Sequence, residues 1–357
     1  MALVFLAGCV TTQTDELTNG EIYWPRPPQL PRFAWQSVIH KANDIEIKEP
    51  EQKDFLNISD EHIDKDVFIK PVRVAAFGGR IFVTDTMAKL VHVFDAVRRR
   101  YYQFGARFEG TLGQPLGIAV DRQGMVYVAD GTKKVVVVFD QLGLWSKFIG
   151  NASLLKHPVA VALSPTGDRI YVIDNDGTGT STHRMVIFDQ EGKMVGQPIG
   201  QRGKEEGEFN MPTDLCVGSD GRVYVLDAGN FRVQIFDRDG KFLAKWGRLG
   251  RGIGQFARPR AIAIDKDNLI YVVDGAFANL QIFNDQGQLL LPIGEGSSTD
   301  GPATFASPSG VTVDEAGYVY IVDQWLRKVE ILRKLTETEG KLVLNGQDLP
   351  PLRAMVP

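Results

Sequence analysis

The chain has 357 residues, 43% hydrophobic and 24% charged, enough apolar side chain for a large core and unlike a disordered or fibrous polymer. Its net charge of −4 argues against a nucleic-acid binder, whose domain or binding stripe is ordinarily basic, so no nucleic-acid partner is expected. Cys9 and Cys216 are too few for a disulfide framework, and no segment reaches the ~18 apolar residues of a membrane span.

In chain order the first feature is a short apolar run ending in Leu6, Ala7, Gly8 and Cys9. These four residues resemble the lipobox of bacterial lipoproteins, whose Cys becomes the diacylated first residue. The resemblance implies a signal-peptide remnant over 1–8, a lipid on Cys9 and a polar, Thr-rich tether over 9–30. It places the protein in a bacterial cell envelope, held on a membrane and facing the periplasm or the cell surface. The five residues ahead of the box are uncharged, whereas a secretory signal has a basic start and about 7–15 apolar residues.

Residues 33–39 read as a strand, and residues 41–66 as a polar excursion without strand pattern. Then a repeat begins. Asp85, Asp130, Asp174, Asp227, Asp274 and Asp323 each close a short apolar run, at spacings of 45, 44, 53, 47 and 49 residues. A second apolar run ends nine residues after each Asp, at Phe94, Phe139, Phe236, Phe283 and Leu332, but fourteen after Asp174, at Phe188. This is the length of a four-stranded propeller blade. Each unit opens near a proline (Pro71, Pro115, Pro158, Pro212, Pro259 and Pro308), with an apolar residue three positions earlier. A proline opening a strand loses no ladder bond. In the fourth unit, Asp220-Gly221 and Asp239-Gly240 mark hairpin turns.

The pattern Gly207, Phe209, Pro212, a strand ending in Asp227, then Arg232, Val233 and Phe236 resembles the NHL repeat. The resemblance covers about residues 68–333 and implies an all-β, six-bladed β-propeller over 31–335, followed by a tail over 336–357. Blade six lacks an obvious outer strand. The ring is expected to close through the N-terminal strand Phe33 to Ile39, with Lys341 to Leu344 from the C-terminal side as the competing segment.

The six Asp read as turn makers, since Asp accepts bonds from nearby backbone N–H groups. Propellers related to this family include zinc lyases and calcium hydrolases acting at the channel. At the blade entrances, however, His157 is the single histidine, where zinc needs about three protein ligands. Met185 stands where a calcium loop starting at Asp174 would need Glu. No cofactor or metal is expected. Arg73, His157, Asp214, Arg258 and Arg260 remain as a channel-rim set able to hold an anionic ligand; a solvated rim with Asp214 paired to an Arg is the other reading. Asp176, Thr178, Thr180 and His183 lie in the lengthened third-blade loop, either a recognition loop or a neutral insertion. Arg98, Arg99 and Arg100 fall in a turn facing away from the entrances. The function expected is a non-catalytic scaffold that binds a cell-envelope protein or ligand; the alternative is a propeller enzyme using the channel.

Overall fold

The computed structural model describes residues 22–45 and 66–350. Cys9, the tether up to residue 21, most of the 41–66 excursion and the last seven residues lie outside the described part.

Six antiparallel sheets form the blades of a propeller. Their inner strands are Pro71–Phe77, Pro115–Val120, Pro158–Leu163, Pro212–Val217, Pro259–Ile264 and Pro308–Val313, so all six marked prolines open a strand. Blade four runs Pro212–Val217, Val223–Asp227, Arg232–Phe236 and Phe242–Trp246 from the axis outward. Its second and third strands are buried along their whole length, and its outer strand is half exposed. Strand alternation sends successive side chains to opposite faces. Each blade therefore packs on both neighbours: Tyr224, Leu226, Val233 and Ile235 meet Ile262, Ile270, Val272 and Phe283 of blade five.

The ring closes through the N-terminal strand. Phe33–Ile39 pairs with Lys328–Lys334 as the outer strand of blade six, and Tyr23–Trp24 adds a fifth. The Trp35 indole N–H donates to Glu330 at 2.5 Å across this seam. The C-terminal candidate is corrected: residues 341–344 lie in the helix Glu337–Leu344. Thr336 and Glu339 form a capping box at its start, which favours helix over strand.

The repeated Asp residues are wholly buried and do more than turn the chain. Asp85, Asp130, Asp274 and Asp323 accept backbone N–H bonds two and three residues ahead, which makes the turn. Each also accepts two N–H bonds from the connection entering its own blade, such as Ile69 and Lys70 at Asp85. Asp174 keeps both entrance bonds and Asp227 one, from Asn210, and each takes an arginine, Arg184 or Arg232, in place of the turn bonds. Burial raises the Asp85 carboxyl, but His92 and the Ala88, Ile69 and Lys70 N–H groups outweigh it and hold the group at about 2.

Blade three is the irregular one. Its sheet has three strands, with the outer position reduced to bridges between Met185 and Ile199 and between Phe188 and Met194.

Candidate functional site

The channel mouth is shaped by a bulge repeated six times. Directly after its proline each inner strand slips against its neighbour. A bulged residue drops out of the ladder and its carbonyl needs another partner. Four of these carbonyls find Arg73. Its Nη1 donates to Ser309 O at 2.5 Å and Val72 O at 3.4 Å, and its Nη2 to Arg260 O at 2.9 Å and Thr213 O at 3.0 Å. The Leu116 carbonyl takes the Thr84 hydroxyl at 2.8 Å. Arg73 Nε faces the Asp214 carboxylate at 3.4 Å. A planar, permanently charged fork with five N–H donors suits such a carbonyl ring.

Asp214 comes from the inner strand of blade four and accepts the Leu215 N–H at 3.0 Å and, from blade five, the Ile262 N–H at 3.1 Å. Burial pushes its carboxyl above the usual range, and Arg73 counters this only in part. The cavity along the axis, about 240 Å³, is lined by this pair and by apolar residues such as Ala76, Val120, Leu163 and Val313. Cys216 lines it too, its thiol driven well up by burial and by neighbouring Asp214.

The other rim residues stand apart from this pair. His157 bonds to Asn175 O and Gln114 Oε1, both at 3.1 Å, bridging the entrances of blades two and three. Arg258 donates to Gly275 O at 2.8 Å. Arg260 lies beside it, and its side chain has no hydrogen bond or ion pair among the described residues. Both arginines rest on Gly275: a Cβ there would stand 2.8 Å from Arg260 Nε and 3.2 Å from Arg258 Nε. Burial, then the charges of Arg258 and Arg73, lower the Arg260 pKa. Thus the rim set divides into a paired group (Arg73, Asp214), a bridging group (His157) and two arginines without a counter-ion among the described residues. Gly275 and the bulge carbonyls were not singled out from sequence. The Gly after Asp274 is the one signal that was available.

The third-blade loop lies on the entrance side. Asp176 and Thr178 are exposed, and Thr180 is half-buried. His183 is buried and serves the scaffold: Nε2 donates to Gly177 O at 3.0 Å, and Nδ1 accepts the Met211 N–H at 3.3 Å. Arg202 reaches across to the Thr178 carbonyl. Arg98 stands away from both groups and pairs with Asp95 at 3.0 Å. Among the described residues no group of three or more His, Cys, Asp or Glu is arranged to hold a metal ion.

Residues 209–236 match the NHL repeat. The human NHL repeat-containing protein 3 is 36% identical over 91 residues, 25% of this chain and 25% of that protein. The chain thus spans about a quarter of that relative's length. Among solved structures, a gluconolactonase from Xanthomonas campestris aligns with a TM-score of 0.57 at 16% identity, over 75% of this chain and 87% of that one. Virginiamycin B lyase from Staphylococcus aureus aligns with a TM-score of 0.53 at 10% identity, over 85% and 100%. At such identities the likeness is one of fold.

Proposed function

We infer that the chain is a lipid-anchored binding scaffold of a bacterial cell envelope, presenting a rigid ring to a protein or ligand partner and performing no chemistry of its own. The observation that carries this reading is Arg73. An enzyme working at the channel mouth needs groups on the axis free to meet a substrate or a metal. Here the axial carbonyls and the Asp214 carboxylate hold the chain's own guanidinium instead. The exposed third-blade loop supports a recognition role, because rigid rings commonly carry recognition in variable loops. The lipid anchor rests on Leu6, Ala7, Gly8 and Cys9 alone.

Crosslinking in the native envelope followed by mass spectrometry should return a defined partner. Stoichiometric zinc or calcium in the purified protein, lost with Asp214→Ala, would replace this reading with a channel enzyme. Cys9→Ala, expressed behind a complete signal, should release the protein from the membrane fraction; continued membrane retention would remove the anchor from the proposal.

A further inference from the structure

We propose that Arg258 and Arg260, laid side by side over Gly275 at the blade-five edge of the channel mouth, form a binding site for an oxyanion of the carboxylate or phosphate class. The two Nε atoms are no more than about 6 Å apart, and like charges that close repel. An opposite charge placed between them is therefore favoured. Among the described residues none supplies such a group. Asp214 faces Arg73. Asp274 and Asp323 are the next carboxylates acting on Arg260, but they are buried and engaged by backbone N–H groups, Ala257, Arg258, Ala276 and Phe277 for the first and Ala306, Ser307, Trp325 and Leu326 for the second. Their charge softens the repulsion without offering Arg260 a partner.

Arg73 reinforces the case. Its guanidinium already satisfies the axial carbonyls, so Arg260 is not needed to neutralise the ring; its own carbonyl accepts from Arg73. The lowered Arg260 pKa agrees with a half-buried cation among cations. Gly275 completes the geometry, since any Cβ at that point would push both forks aside. Guanidinium forks match planar carboxylates and phosphates through paired N–H donors. The site gives the scaffold reading a ligand class, and it rests on that reading only for its biological use.

The test titrates the whole chain at low salt with sodium phosphate and, separately, with sodium succinate, reading calorimetry and thermal melting together. One or both should bind at a single site and raise the melting temperature, as any ligand of the folded state does. Stronger phosphate binding assigns a phosphate-type ligand, and stronger succinate binding a carboxylate. Arg258→Gln and Arg260→Gln should each weaken binding by about tenfold or more, while Arg98→Gln, outside the mouth, should not. Arg260→Gln should keep or raise the melting temperature of the ligand-free protein, because its side chain makes no hydrogen bond to a described residue; lost binding is then not lost folding. No binding of either salt, or binding indifferent to both rim variants, overturns the proposal. So does a single-stranded oligonucleotide that binds more tightly than either salt with a steep salt dependence, which reassigns the face to nucleic acid. Failure here leaves partner crosslinking untouched, and failure of crosslinking leaves anion binding untouched.

Discussion

Arg73 and Arg260 enter the same channel mouth from blades one and five, two positions and one position after their blade-opening prolines. Their surroundings are opposite. Arg73 collects four carbonyls and a carboxylate from blades one, four, five and six. Arg260 lends Arg73 its carbonyl, and its own guanidinium has no hydrogen bond or ion pair among the described residues. The difference teaches that a bulged ring can accommodate one structural cation on its axis. A second cation beside it adds repulsion, and the natural use for that repulsion is an incoming anion.

The largest effect should come from removing the satisfied partner. Arg73→Ala leaves Asp214 buried without a counter-ion and strips donors from the bulge carbonyls, so a loss of about 3–5 kcal/mol is expected from denaturant unfolding. Arg260→Ala should change little. Equal losses for the two would mean that Arg73 and Arg260 serve the fold alike. The pH dependence sharpens it. Asp214 already has a folded pKa above its unfolded value through burial. A group of that kind is favoured by folding in its protonated form, which contributes fully below the unfolded pKa and is lost as pH rises through the folded one. Without Arg73 the folded value rises further. Arg73→Ala should therefore regain stability relative to wild type as pH falls toward the usual carboxylate range from above, before depressed carboxyls matter. Asp85 pulls the opposite way only lower, since its folded value of about 2 means stability lost as pH drops below the usual carboxylate range. Parallel profiles for the two proteins would sink the account of Asp214.

The same division runs through the third-blade loop. His183→Ala breaks the link from Gly177 to Met211 and leaves a buried N–H unpaired, at a cost of about 1–3 kcal/mol. Asp176→Ala and Thr178→Ala, exposed on the same loop, should stay within about 0.5 kcal/mol. If the loop recognises a partner, crosslinking should fall with the exposed pair and not through loss of folding. A large melting shift from Asp176→Ala would show that the loop is scaffold throughout.

What the sequence could tell follows the range of each interaction. Pro212, Asp227 and Phe236 recur because strand starts, turns and core faces are dictated within one blade, and each blade repeats the demand. The closing strand was readable for a related reason: blade six lacked an outer partner, and Phe33 to Ile39 offered a short apolar segment of strand character. The C-terminal alternative had Thr336 and Glu339 ahead of it, a helix start visible in the sequence that outweighs the apolar residues at 342–344. The rim residues share the blade-entrance positions in the sequence, but their division into paired and unpaired is not legible there. Arg73 meets Thr213 and Ser309 across the ring, at separations of 140 and 236 residues. Those meetings depend on a bulge that turns a backbone carbonyl inward, and a carbonyl has no letter of its own.

The smallest expected effect is the sharpest probe of the unpaired side. Gly275 is not among the residues in the left-handed region, so Gly275→Ala meets no backbone strain. It gains the usual few tenths of a kcal/mol by restricting the unfolded chain, set against a modest shift of two flexible arginine side chains. The net change in stability should stay within about 1 kcal/mol. Its methyl, however, would stand within 3.2 Å of both Nε atoms and must spread the two forks. Thermal melting with and without phosphate or succinate therefore separates the two roles. The variant should melt like wild type when ligand-free and lose the ligand-induced rise. If instead the ligand-free protein melts far lower, the glycine is required by the fold, and the room it leaves for Arg258 and Arg260 is incidental.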